Sequence, residues 1–221
     1  MKVVISGYGK MGRMIEGALR SKGIELALAS EDVCSVPKGI ASQSVCIDFT
    51  TPDAFRANYP FLAENFKAVV VGTTGWYDIL GEVTACFEKA GTPMIWASNF
   101  SIGVNAVFAA LEKVSHVLKD KGYEPHIEET HHIHKLDSPS GTAVTMAGII
   151  EDNLGIRPDI KSFREGEVPG IHVVDFKSEV DRISISHEAF SRQGLAEGAV
   201  LAAQLTEGLK GVHTFQEMIL K

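Results

Sequence analysis

The chain has 221 residues and is 45% hydrophobic, enough to bury one large core or two smaller ones. Its 21 basic and 28 acidic side chains leave a formal charge of −7, which argues against a general binder of nucleic acid or of anionic membrane. Cys34, Cys46 and Cys86 are odd in number, far apart and outside any metal-ligand spacing, so they read as reduced thiols. With no signal-peptide pattern and no apolar run of membrane-spanning length, a cytoplasmic protein is expected.

KVVIS at Lys2–Ser6 reads as a buried strand. Glycines follow, and residues 11–21 carry apolar side chains at helical spacing. Strands are expected at 25–29, 45–49, 68–71 and 94–97, with a helix opened by Thr51-Pro52 and another over 77–90. Strands alternating with helices predict a parallel, doubly wound sheet. After about residue 101 the pattern changes. Helices at 104–119 and 142–153 flank a stretch at 124–133, and strand-like runs at 172–176 and 182–187 have no helix between them. That predicts a second, α+β domain with a mainly antiparallel sheet, spanning 103–194. Helical residues 195–209 are apolar enough to return to the first domain, which then comprises 1–102 and 195–221.

Gly7-Tyr8-Gly9-Lys10-Met11-Gly12 lies between the first strand and the first helix. In that context the first glycine permits a tight turn, the second lets backbone approach a pyrophosphate, and the third lets helix and strand close together. An ordinary turn is the plainer reading. Glu31 and Asp32 stand where an acidic residue would meet a ribose, although either suits a solvated turn. No arginine follows them, which favours NADH slightly over NADPH, with Lys38 nearby. Gly72-Thr73-Thr74-Gly75 and Ala97-Ser98-Asn99-Phe100 end the fourth and fifth strands on the edge where open α/β sheets bind ligands. Each is either a cofactor contact or a plain strand-to-helix turn.

The segment EETHHIHKLDSPSGTA, residues 128–143, holds His131, His132, His134 and Lys135 beside a turn-forming stretch. A zinc site is set aside, since no further ligand stands at a typical closing distance and Glu128 and Glu129 project to alternate sides. A decorated strand surface is the bland alternative. In a strand, His131 and Lys135 would share a face but lie about 13 Å apart, so the chain must leave the strand near His131 if both serve one site. Residues 137–141 are turn material. Ser140-Gly141-Thr142 then begins a helix whose free N–H groups suit a carboxylate. Imidazoles, an ammonium and a helix N-terminus from one loop make a pocket for an acid.

With both motifs in view, the chain resembles the dihydrodipicolinate reductase family. GYGKMGR, IDFTTP, GTTGW, ASNFSIGVN, EETHHIHKLDSPSGTA, REGEVPG and ISHEAFSR carry the resemblance along almost the whole length. It implies NADH- or NADPH-dependent reduction of a cyclic unsaturated dicarboxylate in the cytoplasm, in diaminopimelate and lysine biosynthesis. It further implies that His131 is a general acid/base, that Lys135 gives a proton to the substrate, and that His132, Ser140, Gly141 and Thr142 hold a substrate carboxylate. The dinucleotide contacts carried over are Gly7 to Gly12, Gly72, Thr73, Thr74, Ser98, Asn99 and Phe100. A homotetramer is implied through the second domain's sheet. Two segments are short for the family. Residues 30–45 leave no room for an ordinary strand–helix unit, and residues 170–182 imply that part of the second sheet is missing. A dehydrogenase of another small acid and a catalytically silent dinucleotide-binding protein are the competing readings.

Overall fold

In a computed structural model that describes residues 1–220, the chain forms two compact units, residues 1–101 with 195–221 and residues 102–194. The first opens with β1 (Lys2–Ser6), α1 (Lys10–Ser21), β2 (Glu25–Ser30), α2 (Lys38–Ala41) and β3 (Ser44–Asp48). It continues with α3 (Pro52–Asn65), β4 (Ala68–Val71), α4 (Leu80–Ala90) and β5 (Met94–Trp96). The second holds α5 (Ile102–Leu118), β6 (Glu124–His131), α6 (Gly141–Leu154), β7 (Asp159–Arg164), β8 (Ile171–Lys177) and β9 (Arg182–Glu188). The chain then runs through α7 (Gln193–Leu205), β10 (Val212–Thr214) and α8 (Phe215–Ile219), which belong almost wholly to the first unit. No helix among the described residues is long and apolar enough to cross a membrane.

The first unit is a six-stranded sheet in the order β10-β5-β4-β3-β1-β2, every pair parallel. Its central strands are apolar at consecutive positions because both faces are covered. Val3, Ile5, Val45, Ile47 and Val70 meet α1 and α7 on one side, while Val4, Cys46, Val69 and Val71 meet α3 and α4 on the other. Thr51 caps α3 by accepting from Ala54 N–H, with Pro52 in its first turn. The alanine-rich face of α7 packs on the sheet, and a Cβ on Gly198 would stand 1.8 Å from the Phe100 carbonyl oxygen in the loop after β5. The short segment after β2 holds only a 3₁₀ turn at Val33–Ser35 and the single-turn α2, and buries Val33, Val36 and Ala41 in place of a full helix.

The second unit is a four-stranded sheet in the order β7-β6-β8-β9, with α5 and α6 on its inner face around Phe108, Leu111, Met146, Ile150, Val174 and Phe176. β6–β8 and β8–β9 are antiparallel, but β6–β7 is parallel, so the sheet is mixed. β7 and β10 are additions to the sequence reading. DIKSFR in β7 alternates exposed and half-buried positions and resembles a polar loop, and β10 has only three residues.

Candidate active site

At the carboxyl ends of the first unit's strands, the chain turns sharply after Ser6. Gly7 has φ +87°, and a Cβ there would lie 2.3 Å from the Phe49 carbonyl oxygen. A Cβ on Gly12 would lie 2.3 Å from the Gly7 carbonyl oxygen, so both positions exclude a side chain. Gly9 differs: a Cβ there would meet nothing within 4 Å, and the residue is exposed. It is the N-cap of α1, without a side-chain cap and without an acidic residue in the first turn. The positive end of the helix, with Lys10 exposed beside it, is therefore open to an anion. Arg13 lies over the Tyr8 ring at 5.7 Å, and the Tyr8 hydroxyl pairs with Glu16. Met11 packs partly against the core.

The remaining first-unit candidates divide into two groups. Glu31 accepts from the Tyr8 N–H at 3.0 Å and so touches the glycine loop, whereas Asp32 accepts from Cys34 N–H at 3.1 Å and caps the 3₁₀ turn. Gly72 lies against the Phe49 ring, where a Cβ would come within 2.2 Å. Thr73 is buried and gives its hydroxyl to Asp48 at 2.5 Å, while Thr74 is exposed. Asp48 also accepts from Ser6 at 2.7 Å and Thr50 at 3.0 Å, which ties together the ends of three strands. Burial pushes this carboxyl up, against the pull of its hydroxyl donors. Ser98 and Asn99 are half-buried, and Asn99 accepts from Ser101 N–H at 2.8 Å. Phe100 is a core side chain between Phe49 and Phe215, which leaves only its backbone for a ligand.

In the second unit, β6 ends at His131 and the chain turns at once, with Lys135 N–H donating to the His132 carbonyl at 3.1 Å. His131 is 8% exposed, and its Nδ1 meets the Glu129 carboxylate. Burial lowers the His131 pKa, the Glu129 bond opposes that, and Lys135 and Arg164 add to the lowering. For Glu129, burial alone would raise the carboxyl, but donors from Ser162, His131 and Arg164 hold it below its usual range. At ordinary pH the pair is therefore a carboxylate and a neutral imidazole. Lys135 pairs with Asp137 at 2.9 Å. Asp137 also takes the Gly141 N–H, and these donors outweigh burial to hold its carboxyl low.

Ser140 is buried and caps α6 by accepting from Ala143 N–H, and its Oγ lies 3.2 Å from His172 Nε2. Gly141 is exposed, and Thr142 is half-buried with partners of its own. His132 is half-buried, with Arg192 Nη2 at 2.7 Å from its Nε2 and no partner on its buried Nδ1. His134 points elsewhere, to Glu167 at 3.1 Å on the surface.

The sequence reading assigned no role to Arg164, His172 or Arg192, and it weighed Glu129 only as a metal ligand and set it aside. It also found no closing ligand beside the histidines, because it looked only along the chain. Glu129 and His131 share a face of β6, and His172 on β8 is the cross-strand partner of Glu129. Their ligand atoms lie within 4.8 Å of one another, a grouping of metal-binding type. The Glu129 oxygens, however, are already met by His131, Arg164 at 3.0 Å and Ser140 N–H at 3.4 Å, and a guanidinium is a poor neighbour for a cation.

Residues 1–100 match the family model described as "Dihydrodipicolinate reductase, N-terminus" and residues 103–219 that described as "Dihydrodipicolinate reductase, C-terminus". A 4-hydroxy-tetrahydrodipicolinate reductase of Christiangramia forsetii is 35% identical over 233 aligned positions, covering 99% of this chain and 98% of the relative. One from Ralstonia nicotianae is 34% identical over 265 positions, covering 99% of each. A solved dipicolinate-bound dihydrodipicolinate reductase from Paenisporosarcina sp. TG-14 superposes with a TM-score of 0.76 at 21% identity, over 98% of both chains, and shares the fold. The chain belongs to the dihydrodipicolinate reductase family.

Proposed function

We propose that this protein reduces 4-hydroxy-tetrahydrodipicolinate to tetrahydrodipicolinate with NADH or NADPH, in the diaminopimelate and lysine pathway, the 4-hydroxyl leaving as water to give the conjugated imine that takes the hydride and a proton. The first unit serves as the dinucleotide-binding domain and residues 103–194 as the substrate domain. The uncapped start of α1 at the exposed Gly9 suits a pyrophosphate, and Glu31 suits a ribose hydroxyl. Gly7, Tyr8, Lys10, Met11, Gly12, Gly72, Thr73, Thr74, Ser98, Asn99 and the Phe100 backbone complete the cofactor surface. NADH is the favoured cofactor, since a carboxylate at the ribose repels a 2′-phosphate. When bound, the reduced nicotinamide supplies the hydride.

The observation that carries the reading is the convergence of His131, His132, Lys135 and the start of α6 in one turn. A substrate carboxylate takes the donors that Asp137 now occupies, the Gly141 N–H and the Lys135 ammonium, and adds those of His132 and Thr142. Ser140 fixes the turn beneath them through its cap. Lys135 gives a proton to the carbon next to the site of reduction, and the His131 imidazole buffers that proton. The protein acts in the cytoplasm as a homotetramer built on the sheet of the second unit.

An assay with freshly generated substrate, following NADH and NADPH oxidation separately, tests this reading. Rapid oxidation that vanishes in Lys135→Ala supports it and ranks the cofactors. NADH binding without turnover would leave a silent dinucleotide-binding protein.

A further inference from the structure

The Glu129 carboxylate is fully buried and stands directly behind the His131 ring. One oxygen meets His131 Nδ1, and the other accepts from Arg164 Nη1 at 3.0 Å and from Ser140 N–H at 3.4 Å. The Arg164 guanidinium and the Ser140 N–H can only donate, and with the Ser162 hydroxyl they hold the carboxyl below its usual range, so the group is an ionised acceptor and Nδ1 is the donating nitrogen. On the opposite side of the ring stands Gly170, where a Cβ would lie 3.0 Å from Nε2 and 3.3 Å from Cδ2. A side chain at 170 would cover the nitrogen that Glu129 leaves free.

We propose that Glu129 is a positioning residue of the reaction: it holds the His131 proton on Nδ1 and presents an unprotonated Nε2, which Gly170 keeps clear. The inference rests on the acid–base role given to His131. The logic is that of a carboxylate behind a catalytic imidazole, fixing tautomer and orientation and stabilising the imidazolium once it forms. The groups that face His131 are Glu129 on β6, Arg164 on β7, His172 on β8 and Lys135 in the following turn. Glu129 alone carries negative charge among them, so its removal leaves a protonated His131 among cations. The competing account is structural: Arg164 also donates to the Asp137 carbonyl at 2.6 Å, and Glu129 could serve only to neutralise it.

The first test needs no variant. In the full-length wild-type protein with ¹⁵N-labelled histidine, His131 (identified by its loss in His131→Gln) should show a protonated Nδ1 and a pyridine-like Nε2; the opposite tautomer overturns the proposal. The second is kinetic. Glu129→Gln should lower kcat on the order of 10²-fold, within the usual range for acid–base groups. KM and NADH affinity should stay within about threefold, and the limb of the pH profile due to His131 should move to lower pH. Glu129→Asp should recover part of the rate. Glu129→Leu with Arg164→Met exchanges the buried ion pair for apolar side chains, which folds tolerate well. That double variant should stay as slow as Glu129→Gln; a return to the wild-type rate would mean that Glu129 only neutralises Arg164. Wild-type turnover in His131→Gln would instead sink the acid–base assignment while leaving the tautomer result standing.

Discussion

Arg192 donates to His132 Nε2 across 2.7 Å, and since a guanidinium has no acceptor, that contact places the imidazole proton on Nδ1. Nδ1 is buried and has no partner in the protein. An orphaned donor of this kind costs ~1–3 kcal/mol, a cost relieved when an acceptor arrives. Burial and then the Arg192 charge lower the His132 pKa, in keeping with a neutral ring. The substrate carboxylate proposed for this turn would supply that acceptor.

Arg192→Ala should therefore raise KM for the dicarboxylate about tenfold while kcat changes by less than about threefold, because what is lost is ground-state binding. Steady-state kinetics at fixed saturating NADH read this out. An unchanged KM with a lowered melting temperature would make the Arg192–His132 pair purely structural.

The proton-donor role proposed for Lys135 places its effect at the transition state, so Lys135→Ala should cut kcat by about 10²-fold or more and leave the NADH dissociation constant within about twofold. Equal loss of NADH affinity, measured by fluorescence titration, would contradict a role confined to proton transfer.

Asp137 holds the Lys135 ammonium at 2.9 Å and takes the Gly141 N–H, the donors proposed for the substrate carboxylate. On that proposal it is an internal competitor. Asp137→Asn should lower KM several-fold by weakening that competition, by about 1 kcal/mol of charge-assisted bonding. A raised KM would show instead that Asp137 orders the turn for binding.

Glu31 and Asp32 were equal candidates in the sequence, and their side chains separate them. Glu31 reaches the glycine loop through the Tyr8 N–H, while Asp32 is occupied as the cap of the Val33–Ser35 turn. Glu31→Ala should weaken NADH by roughly tenfold and narrow its advantage over NADPH, with Asp32→Ala costing stability more than affinity. Isothermal titration of both variants with both cofactors decides it; a larger loss in Asp32→Ala would reverse the assignment.

Much of this architecture was legible because the central strands are short, largely apolar runs, and α3 and α6 carry their capping hydroxyls in the sequence. KVVIS, AVVV and Thr51-Pro52 fall where the chain uses them. β7 was not legible, since its alternation of polar and half-buried residues is that of a sheet edge. The candidate site was half legible. His131, Lys135 and Ser140 lie together in the chain, but His172 and Arg164 reach them only through cross-strand register. Pairing of that kind is a property of the folded sheet, which linear spacing does not record.

The same register makes an acid-labile element. His172 is 5% exposed, and burial first, then the charges of its neighbours, lowers its pKa to about 4 from 6.5. His187, its partner on β9, is also lowered by burial. Between about pH 6.5 and 4 the unfolded chain binds a proton at residue 172 that the folded chain does not, so stability falls as pH drops through that window. At 1.36 kcal/mol per pH unit the loss from His172 is about 3 kcal/mol. That corresponds to roughly 6–12 °C in melting temperature for a chain of this size. His172→Asn cannot take up the proton. It should start less stable at pH 7, where its bond to Ser140 is altered, and then lose roughly that much less than wild type on going to pH 4.5. Parallel curves for the two proteins in differential scanning calorimetry would mean that His172 is protonated in the folded state, contrary to its burial.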